Sequence, residues 1–126
     1  MIFELKGKFK PYVRMTQASK WVQPDAVQYL ASKEDIGRQL AQQMAANDWD
    51  MLPGQTPLWV SINIEHQGGF HNRDLDNELK AFLDGANGIV YPDDRWIDWV
   101  KVQRQRGKEN KVRMVVELAG GDAIPD

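Results

Sequence analysis

The run His71 to Asp84, HNRDLDNELKAFLD, sets Asp74 and Asp76 one residue apart, with Lys80 four positions beyond Asp76. A second acidic pair, Asp93 and Asp94, follows in YPDD. By itself the first run is sound helix design. Asp74 suits an N-cap, Asp76 falls in the first turn where the helix dipole favours an acid, and Lys80 can pair with Asp76 for roughly 0.3–0.5 kcal/mol. The second pair changes the weighing. A helix of about 11 residues spans only ~16 Å, so a brief return segment can bring Asp93 and Asp94 back to the helix start. Two unit charges ~4 Å apart repel by about 4 kcal/mol at an effective dielectric of about 20. Capping gains of around 1 kcal/mol cannot offset several such pairs. A convergent cluster therefore needs protons or a hard cation, and carboxylate oxygens suit Mg2+, with Mn2+ as the alternative. Magnesium with open positions works on phosphates, activating water and stabilising the leaving oxygen. A lysine one turn from a ligand can stabilise a charged transition state or orient the attacking water. These are the parts of a phosphodiesterase site.

Other chemistry fits less well. DLDNE begins like a calcium loop, but Leu79 stands where the sixth-position glycine belongs and Gly85 where the twelfth-position glutamate belongs. His66 and His71 lie near the acids and could join Asp74 around zinc, yet His66 ends a strand and His71 reads as loop surface. Two histidines leave no serine triad, and no phosphate-binding G-x-x-x-x-G-K-[ST] occurs. Cysteine is absent, which excludes disulfides, thiolate zinc sites and cysteine nucleophiles.

Charge is unevenly placed around the acids. The net charge is −2, but residues 6–20 carry Lys6, Lys8, Lys10, Arg14 and Lys20 without an acid. Residues 101–113 carry Lys101, Arg104, Arg106, Lys108, Lys111 and Arg113 against Glu109 alone. Two basic flanks around an acidic centre suit a phosphate backbone gripped about a cation. Basic edge strands also serve solubility, which is the plainer reading.

The elements that must position these residues follow from periodicity. Phe3, Leu5 and Phe9 alternate with charge, as in a half-buried strand. Pro24 suits a first helical turn, and Val27, Leu30, Ile36, Leu40 and Met44 carry a helix from about 25 to 47, with Gly37 allowing a kink or break. Val60, Ile62 and Ile64 mark a second strand in LWVSINIEH. The helix from Asp74 has Leu75, Leu79, Phe82 and Leu83 as its apolar stripe and ends in GANG. Residues 96–105 and 111–118 read as two strands joined by the RGKEN turn. The order is β-α-β-α-β-β, an α+β domain in which two helices cover a small mixed sheet. With 126 residues, 42% apolar and 27% charged, one domain is expected over 1–118, followed by a loose tail over 119–126. No apolar stretch is long enough for a membrane span and no signal-peptide core is present, so the expectation is a cytoplasmic protein. Dimerisation is plausible for so small a domain.

The combined pattern RDLDN, Lys80-Ala81, Asp84 and NGIVYPDD before a strand resembles the RusA family of Holliday-junction resolvases. The resemblance is strongest over residues 73–106, and YVRMTQASKW is similar to a basic N-terminal segment of phage members. It implies a homodimeric, magnesium-dependent endonuclease of DNA recombination and repair that makes paired symmetric cuts across a four-way junction. On matching positions it implies Asp74, Asp76 and Asp94 as metal-binding catalytic carboxylates and Lys80 as the essential lysine. Asn77 and Asp93 fall on motif positions with supporting roles. Arg14, Lys20, Lys101, Arg104 and Arg106 of the basic segments, with Arg73 beside the motif, are the expected DNA contacts. The sequence departs from the family at Arg95-Trp96-Ile97, which bears on substrate preference. Trp96 is expected to pack in the core or a dimer contact, given the area tryptophan buries. The alternative is a DNA-binding protein on the same scaffold that is catalytically inactive or cleaves other branched DNA. A small metal-binding or structural domain without nucleic acid is the third reading.

Overall fold

The computed structural model describes residues 1–16 and 23–119. Its elements are β1 (Ile2–Lys6), α1 (Pro24–Ala46), β2 (Leu58–His66), α2 (Leu75–Ala86), a 3-10 turn (Asp94–Trp96), β3 (Ile97–Arg106) and β4 (Lys111–Leu118). The expected β-α-β-α-β-β order forms. Residues 120–126, most of the expected loose tail, lie outside the described residues.

The four strands make one sheet in the order β1-β4-β2-β3. β4 pairs antiparallel with both β1 and β2, whereas β3 runs parallel to β2. A parallel pair needs a crossover, and α2 supplies it. The strands on either side of RGKEN are thus consecutive in sequence but not neighbours, because β2 lies between them. Burial explains that placement. β2 buries every second residue along its whole length, and β4 does so at Val112, Met114 and Val116. β3 has no fully buried position and takes the edge.

Alternation leaves one apolar face, made by Phe3, Leu5, Leu58, Val60, Ile62, Ile64, Val112, Met114 and Val116. Tyr29, Ile36, Leu40 and Met44 of α1 and Ala81 and Phe82 of α2 cover it. Each large side chain removed from water contributes about 1.5–3 kcal/mol. Trp96 is half-buried against this core, as expected for a residue of its area. α2 is rotated slightly from the expected stripe. Glu78, Ala81, Phe82, Gly85 and Ala86 are buried, while Leu79 and Leu83 flank them.

α1 runs without a break, with Pro24 in its first turn. Gly37 serves close packing rather than a kink: a Cβ there would stand 2.9 Å from Ile89 Cδ1 and 3.3 Å from the Gly85 carbonyl oxygen. On α2, a Cβ at Gly85 would stand 2.6 Å from Ile36 Cγ2. Alanine normally gains up to about 1 kcal/mol over glycine inside a helix. Here overpacking against a fully buried β-branched side chain, at about 1–3 kcal/mol, should win. Gly85→Ala is therefore expected to lower the unfolding free energy by about 1–2 kcal/mol, read from a urea titration. Unchanged or increased stability would mean that the helix crossing yields.

The outer edge of β1 is closed by side chains. Gln39 accepts from Lys6 N at 2.9 Å and donates to Lys6 O at 2.9 Å. Gln43, one helical turn on, accepts from Glu4 N at 3.0 Å and donates to Glu4 O at 2.7 Å. Two carboxamides of α1 thus take the place of a neighbouring strand.

Candidate functional site

Asp74 is the N-cap of α2 in position, with extended backbone, but its side chain makes no capping hydrogen bond. Its carboxylate is exposed, and its polar contact is a long one, 3.5 Å from Asn77 Nδ2. Asp76 is exposed in the first turn, where Oδ1 accepts from Asn77 N at 3.0 Å. Asn77 also anchors the N-terminal segment, since its carbonyl accepts from Tyr12 N at 3.0 Å. Both aspartates keep most of their acceptor capacity open to solvent.

Lys80 lies one turn further along the same face. Its partner is not Asp76 but Asp84 on the next turn, with Nζ 4.0 Å from Oδ1. Nζ also stands 4.7 Å above the Tyr12 ring. Asp84 is tethered from below by the Tyr29 hydroxyl, which donates to Oδ2 at 3.0 Å. Burial and the nearby Asp84 carboxylate push the Tyr29 phenol far up.

The two neighbouring acids of YPDD have different surroundings. Asp93 caps the 3-10 turn, accepting from Arg95 N at 2.9 Å and from the Arg95 guanidinium at 3.1 Å. These bonds hold its carboxyl below the usual range. Asp94 moves the other way. Partial burial raises it first, then its contact with Asp93 and the Asp84 charge, against a lowering effect of Lys80. Tyr91, buried beside them with its hydroxyl on Leu83 O at 2.9 Å, is pushed up by burial and by the charges of Asp94, Asp84 and Asp93.

The spacing permits convergence of the acids at the start of α2, and the pairing of β2 with β3 sets the frame for it. β3 begins at Ile97 beside Leu58, the start of β2, while α2 begins beyond the end of β2. A parallel crossover carries the chain back to the starting end of its sheet. Asp94 feels the charges of Asp84 and Lys80 on α2, whose first turn holds Asp76, with Asp74 as its N-cap. No three His, Asp or Glu side chains among the described residues form a group able to hold one metal ion, which also bears on the zinc reading of His66 and His71. The donors still fit a hard cation in kind. Magnesium is commonly held by one or two carboxylates, with waters and substrate phosphates completing its shell. Paired, exposed carboxylates at Asp74 and Asp76 meet that requirement.

Beneath the first turn lies a group that charge counting did not reveal. Glu78, almost fully buried on the core side of α2, faces Arg104 Nη1 at 2.9 Å, His66 Nε2 at 2.7 Å and Arg73 Nη1 at 3.9 Å. Despite that proximity, the buried His66 Nε2 makes no hydrogen bond. Arg104 Nη1 also donates to Arg73 O at 2.8 Å, and Arg73 Nη1 to Phe9 O at 2.9 Å. Arg73 and Arg104, expected as DNA contacts, are 11% and 16% exposed and point inward. A buried carboxylate requires such partners. One signal was available: Glu78 sits three residues after Leu75 and four before Phe82, on the buried side of the helix.

The remaining basic positions divide. Arg14 and Arg106 are exposed, as is Lys101. Lys101 pairs with Ser61 and shares the sheet face opposite the helices, where Trp59 and Trp99 meet edge to face at 5.7 Å. Arg106 pairs with His66, on the helix side. Lys20 lies outside the described residues. No described helix is long and apolar enough to cross a membrane.

A family model described as Endodeoxyribonuclease RusA matches residues 3–118, which takes in every described element except Ile2, the first residue of β1. No curated protein matches the chain.

Proposed function

This chain belongs to the RusA endodeoxyribonuclease family, and from that membership we propose that it resolves Holliday junctions as a magnesium-dependent homodimer, placing paired symmetric nicks in recombination and repair. The observation that carries the reading is the family match over 3–118, joined to two exposed aspartates at the head of α2 with most of their acceptor capacity open.

Asp74 and Asp76 would hold the cation, and the motif implies Asp94 as a further carboxylate of the site. Bound there, Mg2+ (or Mn2+) would activate water and offset charge on the phosphoryl oxygens. Lys80, 47% exposed and leaning on Asp84 and Tyr12, offers an ammonium to a phosphoryl oxygen passing along the same helix face. Asn77 and Asp93 are supporting groups, the first holding the N-terminal segment and the second shaping the turn that presents Asp94. Phosphate contacts fall to exposed Arg14 and Arg106, with Lys101 serving a strand on the far face. Lys20 stays in the proposal from sequence alone.

The test is a synthetic four-way junction with Mg2+ beside a linear duplex of the same arms. Symmetric nicks in the junction only, lost with EDTA and restored by excess Mg2+, are expected. Salt-sensitive junction binding without cleavage in Mg2+ or Mn2+ would favour a non-cutting binder on this scaffold. Cutting of flaps or replication forks in preference to junctions would redirect the substrate to other branched DNA.

A further inference from the structure

We infer that Glu78 and Arg104 are positioning residues for the carboxylates of Asp74 and Asp76, an inference that rests on the nuclease reading above. A single guanidinium nitrogen of Arg104, on β3, holds two points that bracket the pair. One is the carbonyl of Arg73, immediately before Asp74, at 2.8 Å. The other is the carboxylate of Glu78, two residues after Asp76, at 2.9 Å. Arg73 adds a third tie by donating to Phe9 O in the segment after β1. The head of α2 is therefore fixed to the sheet and to the N-terminal segment at once, through largely buried bonds. Asp74 has little else to fix it, since its side chain caps nothing.

Charge acts in the same direction. Two arginines face one glutamate in the interior, so the cluster holds a positive surplus directly under two exposed carboxylates. That surplus eases their mutual repulsion while no cation is bound. A direct phosphate contact, the role expected of Arg104 from composition, is poorly served by a side chain 16% exposed with its Nη1 already committed to two acceptors. Arg104 is further covered by Phe70, whose ring centroid lies 4.9 Å from its guanidinium carbon.

Three variants test this: Arg104→Gln, Glu78→Gln and the two together. Each is measured for single-turnover junction cleavage at saturating protein, junction affinity, thermal stability, and amide hydrogen exchange at Glu78, Leu79 and Lys80 in metal-free protein. Arg104→Gln is expected to slow cleavage about 10–100-fold, the usual effect of losing a group that orients metal ligands. Junction affinity should stay within about twofold, because no phosphate contact is lost. Exchange at the three amides should quicken. The double variant removes the stranded buried charge and should regain thermal stability. It should regain neither rate nor protection, since no guanidinium holds Arg73 O. Unchanged cleavage with weakened, salt-dependent binding would make Arg104 a DNA contact and overturn the inference. Recovery of rate along with stability in the double variant would reduce the cluster to a structural charge pair and overturn it equally. If the unaltered protein cuts no branched DNA, the nuclease reading fails by itself. The exchange measurement then decides positioning alone: unchanged protection in Arg104→Gln overturns it, and lost protection supports it.

Discussion

Asp76→Asn is expected to abolish junction cleavage while leaving the protein folded and able to bind the junction. The carboxylate is exposed, and its hydrogen bond is accepted by Oδ1 from Asn77 N at 3.0 Å, a bond an asparagine oxygen can also accept. The stability change is then the lost favourable contact with the helix dipole, about 0.3–1 kcal/mol. A metal ligand supplies several kcal/mol of transition-state charge stabilisation, and each 1.36 kcal/mol is tenfold in rate. Cleavage should therefore fall on the order of a thousandfold or more. Single-turnover assays beside gel-shift titrations and thermal melts separate the effects. A rate within tenfold of the unaltered protein would remove Asp76 from the metal site. Lost binding with normal melting would recast it as a residue that shapes the DNA surface.

The largest expected loss of stability is in Phe82→Ala. Phe82 is 2% exposed at the centre of the buried face of α2, and its ring meets Phe9 edge to face at 5.6 Å. Truncation removes the transfer term and leaves a cavity among Ala81, Ile64 and Val112, for about 3–5 kcal/mol. Single domains have only about 5–15 kcal/mol to lose. A drop in melting temperature of roughly 10–20 °C should follow. Because α2 carries Asp74, Asp76 and Lys80, cleavage should weaken well below the new midpoint, as the helix loosens from the sheet. A shift under about 3 °C would show that Phe9 collapses into the space.

Period and chemistry made much of this legible beforehand. Val112, Met114 and Val116 alternate because a central strand buries one face, and Pro24 stands where a helix tolerates a missing N–H. What stayed hidden depended on contacts between distant segments. Asp76 and Asp84 are equally spaced from Lys80, so spacing cannot choose between them. The Tyr29 hydroxyl, 55 residues away in sequence, holds Asp84 in place and settles it. Arg73 and Arg104 count as surface charge in any composition, until Glu78 is found buried beneath them. Strand order was equally hidden. RGKEN has the composition of a tight connection, but whether its strands pair depends on β2, a long-range partner that buries more.

The pairing of Gln39 and Gln43 with the backbone of β1 bears on how copies of this protein can associate. A sheet with two open margins can add strands without end, which is the route to fibres. Here one margin is already sealed from within the chain, and β3 alone presents an unpaired rim among the described residues. Joining two copies rim to rim consumes both free margins. Growth by strand addition stops at two, so the same pair of amides that finishes the monomer makes any such assembly self-limiting.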